Sequence, residues 1–219
     1  MNDRQKDREY VKVVSLQPLN PVKVKICGLS RLCDIEAVNG EKPEYVGFVF
    51  AESRRKVTPR QAFDLRKKLY PDITPVGVFV NEEPENIFSL VKCGIVDIIQ
   101  LHGSENDEYI RKLKTLTNKP IIKAVAVLKE GDAQKQAETP ADYLLLDGKG
   151  GGKGQRFDWN LIGKTDRPFF LAGGLCPENV GMALEKVKPF AVDISSGVET
   201  DGFKDHAKIR EFIRMVRNG

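Results

Sequence analysis

"VKVKICGLS" (22–30) alternates in a way that an ordinary buried strand does not. Side chains two apart on a strand share a face. Val22, Val24 and Ile26 therefore lie on one side, and Lys23, Lys25 and Cys27 on the other. The apolar side suits packing beneath helices. The other side carries two cations and a thiol, and a sheet can enclose such charges only if they find partners.

Seven more stretches of this kind follow: "YVGFVF" (45–50), "PVGVFV" (75–80), "VDIIQLH" (96–102), "PIIKAVAV" (120–127), "DYLLLD" (142–147), "PFFLAGG" (168–174) and "FAVDISS" (190–196). They recur roughly every 20 to 30 residues, about the length of a βα unit. Helix signals stand between them. "TPRQ" (58–61) is a capping box with Thr58 as N-cap and Pro59 at the first helical position. Pro84 and Pro177 mark two more starts. After Ser104, Ile110, Leu113 and Leu116 suggest a helix, and after Asp205, Ile209, Phe212, Ile213 and Val216 have the spacing of a helix with one buried face. Strands alternating with helices make a parallel sheet, and eight repeats close it. The alternative, an open doubly wound sheet, usually has fewer strands and a GxGxxG turn after the first, which is absent. The expected fold is an α/β class, single-domain (β/α)8 TIM barrel of near-minimal size over 22–219. An N-terminal extension, 1–21, precedes it and has no assigned role.

Composition narrows the function. Hydrophobic residues make up 41% and charged residues 30%, as in a soluble globular protein. The net charge is +4, but Lys and Arg are scattered, so no basic stripe points to nucleic acid. No apolar run reaches membrane-spanning length, and 1–21 has no apolar core of a secretory signal. The four cysteines (Cys27, Cys33, Cys93, Cys176) form no CxxC. Reduced thiols in a cytoplasmic protein are the expectation. The two histidines, His102 and His206, are not at ligand spacing from a cysteine, so a zinc site is not expected.

The polar residues on the strands follow a pattern. Lys25 and Cys27 share a face, as do Gln100 and His102, and Asp193 and Ser195. Lys123 stands alone among apolar neighbours, and Asp147 ends its strand. The opposite faces, Val24/Ile26, Ile99/Leu101, Ile122/Ala124, Leu144/Leu146 and Val192/Ile194, are apolar. Polar groups are thus expected in the barrel interior, mostly toward the strand C-termini, where barrel active sites lie. The first and eighth strands are neighbours in a closed barrel, which predicts Lys25 beside Asp193. "LAGGL" (171–175) and "DISSGVE" (193–199) end the seventh and eighth strands. Barrels commonly bind phosphate in those loops, through backbone N–H groups and here the Ser195 and Ser196 hydroxyls. "DGKGGGKG" (147–154) lacks the spacing of a Walker loop and reads as a covering loop or a surface loop. Cys27 and Asp147 are the titratable groups at strand ends. A cation lowers a thiol's pKa, and Lys25 is the nearest candidate.

Taken together, "VKVKICGLS", "VGFVFAESRRKVTP" (46–59), "VGVFVNEEPENI" (76–87), "IIQLHGSE" (98–105), "LLLDG…GGKGQRFDW" (144–159), "LAGGLCPENV" (171–180) and "FAVDISSGVE" (190–199) resemble the phosphoribosylanthranilate isomerase family in order and over nearly all of 22–217. The resemblance implies an Amadori rearrangement in tryptophan biosynthesis, with a phosphorylated small molecule as substrate and no cofactor. It carries the base onto Cys27 and the acid onto Asp147. It also carries the anthranilate-binding arginine onto Arg55, a sugar-binding aspartate onto Asp193, and the phosphate grip onto Gly173, Gly174, Ser195 and Ser196. Lys25, Gln100 and His102 are candidate supporting residues. Two rivals stand beside this reading. A sugar-phosphate isomerase or epimerase using paired aspartates calls for Asp at position 27, and a metal-dependent one for more histidines. A non-catalytic phosphate-binding barrel makes Cys27 dispensable. The oligomeric state is not legible.

Overall fold

The computed structural model describes residues 21–148 and 157–218. Nearly all of the N-terminal extension and most of the Gly-rich run lie outside the described residues, and with them the expectations about their roles.

Eight parallel strands close into a barrel in chain order. They are β1 (Lys23–Cys27), β2 (Tyr45–Val49), β3 (Thr74–Phe79), β4 (Ile98–Leu101), β5 (Ile121–Ala126), β6 (Tyr143–Asp147), β7 (Phe169–Leu171) and β8 (Ala191–Ile194). Helices α1 (Leu32–Glu41), α2 (Pro59–Arg66), α3 (Pro84–Lys92) and α4 (Asp107–Leu116) follow the first four strands. Helices α5 (Pro177–Val187) and α6 (His206–Asn218) follow β7 and β8. The capping box at α2 is formed: Gln61 N–H donates to Thr58 Oγ1, and Thr58 N–H donates to Gln61 Oε1. Ile209, Phe212, Ile213 and Val216 are the buried face of α6, as the spacing predicts. None of the described helices is long and apolar enough to cross a membrane.

Two crossovers depart from the βα repeat. After β5 the described residues hold only a 3-10 turn, Gln134–Gln136, and after β6 another, Trp159–Ile162. The physical reason is visible in "LKEGDAQKQAETP" (128–140), which has no apolar stripe at helical spacing. A few buried residues cover the barrel instead, Ala133 and Ala141 after β5 and Trp159 and Ile162 after β6.

The core has two layers. The larger lies between sheet and helices and includes Val24, Ile26, Ile99, Leu101, Leu144, Leu146, Val192 and Ile194. The smaller fills the barrel and includes Tyr45, Val76, Ile98, Ile122, Leu145, Phe170 and Ala191. Ile122 and Ala124 belong to this inner layer, which corrects one expectation: Lys123 points outward, not into the barrel. A single Lys among apolar residues does not reveal which face is which. Here Glu105, from the loop after β4, meets it outside the barrel, with Lys123 Nζ 2.8 Å from Glu105 Oε2 and 2.7 Å from the Gly103 carbonyl.

Lys25 does lie inside. It stands opposite Asp193 in the β1–β8 register, with Nζ 2.9 Å from Asp193 Oδ1, and is fully buried. Removing one partner of a buried pair leaves a bare charge and costs about 3–5 kcal/mol. Lys25→Met should lower the urea midpoint accordingly, and Lys25→Met/Asp193→Asn should be less destabilised than the single variant.

Candidate active site

The barrel opens at the C-terminal ends of its strands into a cavity of about 190 Å³. Cys27, Arg55, Gln100, His102, Asp147, Gly173, Gly174, Asp193, Ser195 and Ser196 all line it. Of the candidate site residues carried from the sequence, Lys25 is not in the wall, and neither is the outward-pointing Lys123. Lys25 sits one strand step below Cys27, closed off from the cavity.

Burial dominates the chemistry at this depth. It opposes the charge on Lys25, but Asp193 and Cys27 outweigh it and hold the ammonium above its ordinary pKa. Burial pushes the Cys27 thiol up. Lys25 pulls it down and Asp193 pushes it up again, so the net direction is upward. Lys25 lowers the thiol's pKa, as expected of a nearby cation, but burial first and Asp193 second outweigh it. The neutral thiol favours the folded chain below about pH 8.5, and that contribution fades as pH rises through the raised folded value. Alkylation of Cys27 by iodoacetamide, read peptide by peptide, should be half-maximal above the ordinary thiol range of about pH 8.5. At pH 7.5 it should be slower than at the exposed Cys33 and Cys93. A midpoint below that range would mean that Lys25 prevails.

Across the mouth, Asp147 ends β6, and its Oδ1 accepts the Gly148 N–H at 2.7 Å. Gly173 makes room for it. Its φ is +83°, and an added Cβ would lie 2.6 Å from Asp147 Oδ1, so only glycine fits. His102 presents Nε2 at 3.9 Å from Asp147 Oδ2, while its Nδ1 lies 2.9 Å from Gln100 Nε2.

The loops after β7 and β8 form a further part of the wall. Ser195 departs from expectation: its hydroxyl donates to the Cys27 carbonyl at 3.0 Å. Lys204 Nζ also donates to the Ser195 carbonyl, at 3.0 Å. The Ser195 side chain thus ties β8 to β1, which leaves backbone N–H groups and the Ser196 hydroxyl to meet a phosphate.

Arg55 reaches the cavity over Gly28, where a Cβ would lie 2.4 Å from Arg55 Cδ and φ is +83°. Its Nε and Nη2 already donate to Glu199, at 2.7 and 2.9 Å. The bidentate edge expected for a ligand carboxylate is therefore occupied, and Nη1 is the part of the fork that donates to no described residue. Arg54, which reads in the sequence as a solvated loop charge, also pairs with Glu199, and Lys204 joins them at 2.6 Å. Three cations on one carboxylate leave this cluster net positive, which favours an anionic ligand beside it.

Sequence reasoning passed over Glu199, Lys204 and Gly47. The signal for Gly47 was present: a lone glycine within a strand marks a close approach. A Cβ there would lie 2.6 Å from Cys27 Sγ. Glu199 and Lys204 meet through the short hairpin of β9 (Glu199–Thr200) and β10 (Phe203–Lys204), whose pairing periodicity is too brief to read. Among the described residues, no group of three or more His, Cys, Asp or Glu side chains is arranged to hold a metal ion.

The sequence model of the family described as N-(5'phosphoribosyl)anthranilate (PRA) isomerase matches residues 24–215. A protein of that name from Acetivibrio thermocellus is 50% identical over 207 residues, covering 89% of this chain and 95% of its own. The crystal structure of the Thermotoga maritima isomerase superposes with a TM-score of 0.83 at 41% identity, covering 90% of this chain and all of that one. A further isomerase structure, solved in complex with reduced 1-(o-carboxyphenylamino)-1-deoxyribulose 5-phosphate, superposes with a TM-score of 0.78 at 38% identity, over 90% and 100%.

Proposed function

Because the chain belongs to the N-(5'-phosphoribosyl)anthranilate isomerase family, we propose that its barrel mouth converts N-(5'-phosphoribosyl)anthranilate to 1-(2-carboxyphenylamino)-1-deoxyribulose 5-phosphate, with Asp147 as acid and Cys27 as base. One observation carries the assignment of roles. The ends of β1 and β6, 120 residues apart in the chain, bring these two groups into one cavity whose lining includes the β7 and β8 loops.

The chemistry needs two proton transfers at different atoms. Asp147 protonates the furanose ring oxygen, the C1–O bond breaks, and the nitrogen lone pair leaves an iminium. Cys27, in its thiolate form, removes the C2 proton, which the iminium has made acidic, and the electrons form an enolamine. Protonation at C1 and loss of the hydroxyl proton give the ketone. An acid and a base held apart on separate strands suit this sequence. Gly173, Gly174, Ser195 and Ser196 are the proposed phosphate grip. Asp193 keeps Oδ2 for a sugar hydroxyl while Oδ1 holds Lys25. Arg55 would meet the anthranilate carboxylate through Nη1 beside Glu199. Arg55→Ala is expected to raise KM about tenfold with a smaller change in kcat, as steady-state kinetics would show, because it removes a contact made in ground and transition states alike.

The whole reading is tested in a bacterium deleted for its own isomerase of this reaction. Expression of the chain should restore growth without tryptophan. No growth with the soluble protein present overturns it.

A further inference from the structure

Two side chains near Asp147, the buried Gln100 and the half-buried His102, have no task in the scheme above. We infer that Gln100 and His102 form a positioning pair for Asp147: the Gln100 amide holds His102 as the neutral Nε2–H tautomer and so aims that N–H at the carboxylate. This rests on the reading of Asp147 as the acid.

The tautomer follows from the hydrogen bonds. Gln100 Nε2 lies 2.9 Å from His102 Nδ1. An amide N–H can donate there only if Nδ1 carries no proton, which puts the proton on Nε2. Nε2 is the nitrogen that faces Asp147 Oδ2, at 3.9 Å. That gap is longer than a hydrogen bond, but catalytic contacts of this kind commonly close only when substrate is bound. Reversing the amide would put the proton on Nδ1 and turn a lone pair toward Asp147, which is repulsive once Asp147 has given up its proton. The charge state agrees. Burial holds His102 below its ordinary pKa; Lys25 and Lys123 add to that, and Asp193 and Glu105 oppose it.

The amide has a second consequence. Gln100 is 1% exposed, and its Oε1 has no hydrogen-bond partner among the described residues. A buried acceptor without a donor is costly. This one belongs to a residue of the cavity wall, where a hydroxyl or amine hydrogen of the substrate can satisfy it. Gln100 thus fixes the imidazole with one end and receives substrate with the other. His102, in turn, donates to the carboxylate that forms once Asp147 has given up its proton. As a neutral N–H donor it stabilises that anion without taking the proton itself.

The tautomer can be read by 15N NMR of the imidazole nitrogens. The chain has two histidines, and His206 sits on the surface against Glu41, so His206→Gln assigns the spectrum. At pH 7.5, His102 should be neutral with its proton on Nε2. In Gln100→Glu, a carboxylate at that place accepts from Nδ1–H and should move the proton to Nδ1. It should lower kcat about tenfold to a hundredfold, the worth of one charge-assisted hydrogen bond, with KM within about threefold. His102→Phe, which keeps the ring, should lower kcat by a similar factor. An Nδ1–H tautomer or an imidazolium in the wild-type protein overturns the inference, as does an unchanged kcat in His102→Phe. Full activity of Asp147→Asn would instead remove the acid assignment, which the spectrum does not test.

Discussion

Cys27→Ser is expected to lower kcat by about 10²- to 10⁴-fold, the range a positioned general base contributes. The substitution changes little else. Serine is the smaller group, and Gly47 leaves the space opposite it open. The Cys27 backbone carbonyl that accepts from Ser195 is untouched. What is lost is ionisation. Burial already holds the thiol above its ordinary range, and a hydroxyl in the same place is far harder to deprotonate. Binding of the reduced product analogue, measured by calorimetry, should stay within about threefold. Turnover at the wild-type rate would assign the base elsewhere.

Asp147→Asn is expected to cost a similar factor in kcat, for the complementary reason. The amide copies the carboxyl's shape, and its oxygen can still accept the Gly148 N–H. It has no acidic proton for the ring oxygen, so the furanose stays closed. The crowding against Gly173 makes larger substitutions at 147 ambiguous, whereas Asn adds no heavy atoms. Steady-state kinetics with unchanged analogue binding would mark this as a loss of chemistry and not of fit.

The barrel was legible in the sequence because a two-residue period and a helical period alternate along it. The inward face of β1 was legible for a related reason: Lys25 and Cys27 share it, and Asp193 stands where a closed sheet brings it beside Lys25. Lys123 shows where such reading fails. Its strand is apolar on both sides, so the face was set by Glu105, a loop residue 18 positions away. The grip of Glu199 on Arg55 was hidden too, because it spans 144 residues and depends on a loop conformation. Burial first, with a charge brought from across the fold such as Asp193, raises the Cys27 pKa, and neither is visible among its neighbours in sequence.

The most direct measurement follows the fluorescence of freshly made N-(5'-phosphoribosyl)anthranilate with the wild-type chain, Cys27→Ser, Asp147→Asn and the double variant. The wild type should convert the substrate completely. Each single variant should be slower by 10²-fold or more, and the double variant little slower than the slower single, because groups that act as one unit are not additive. Conversion by either single variant at the wild-type rate would contradict an acid–base pair made of Asp147 and Cys27.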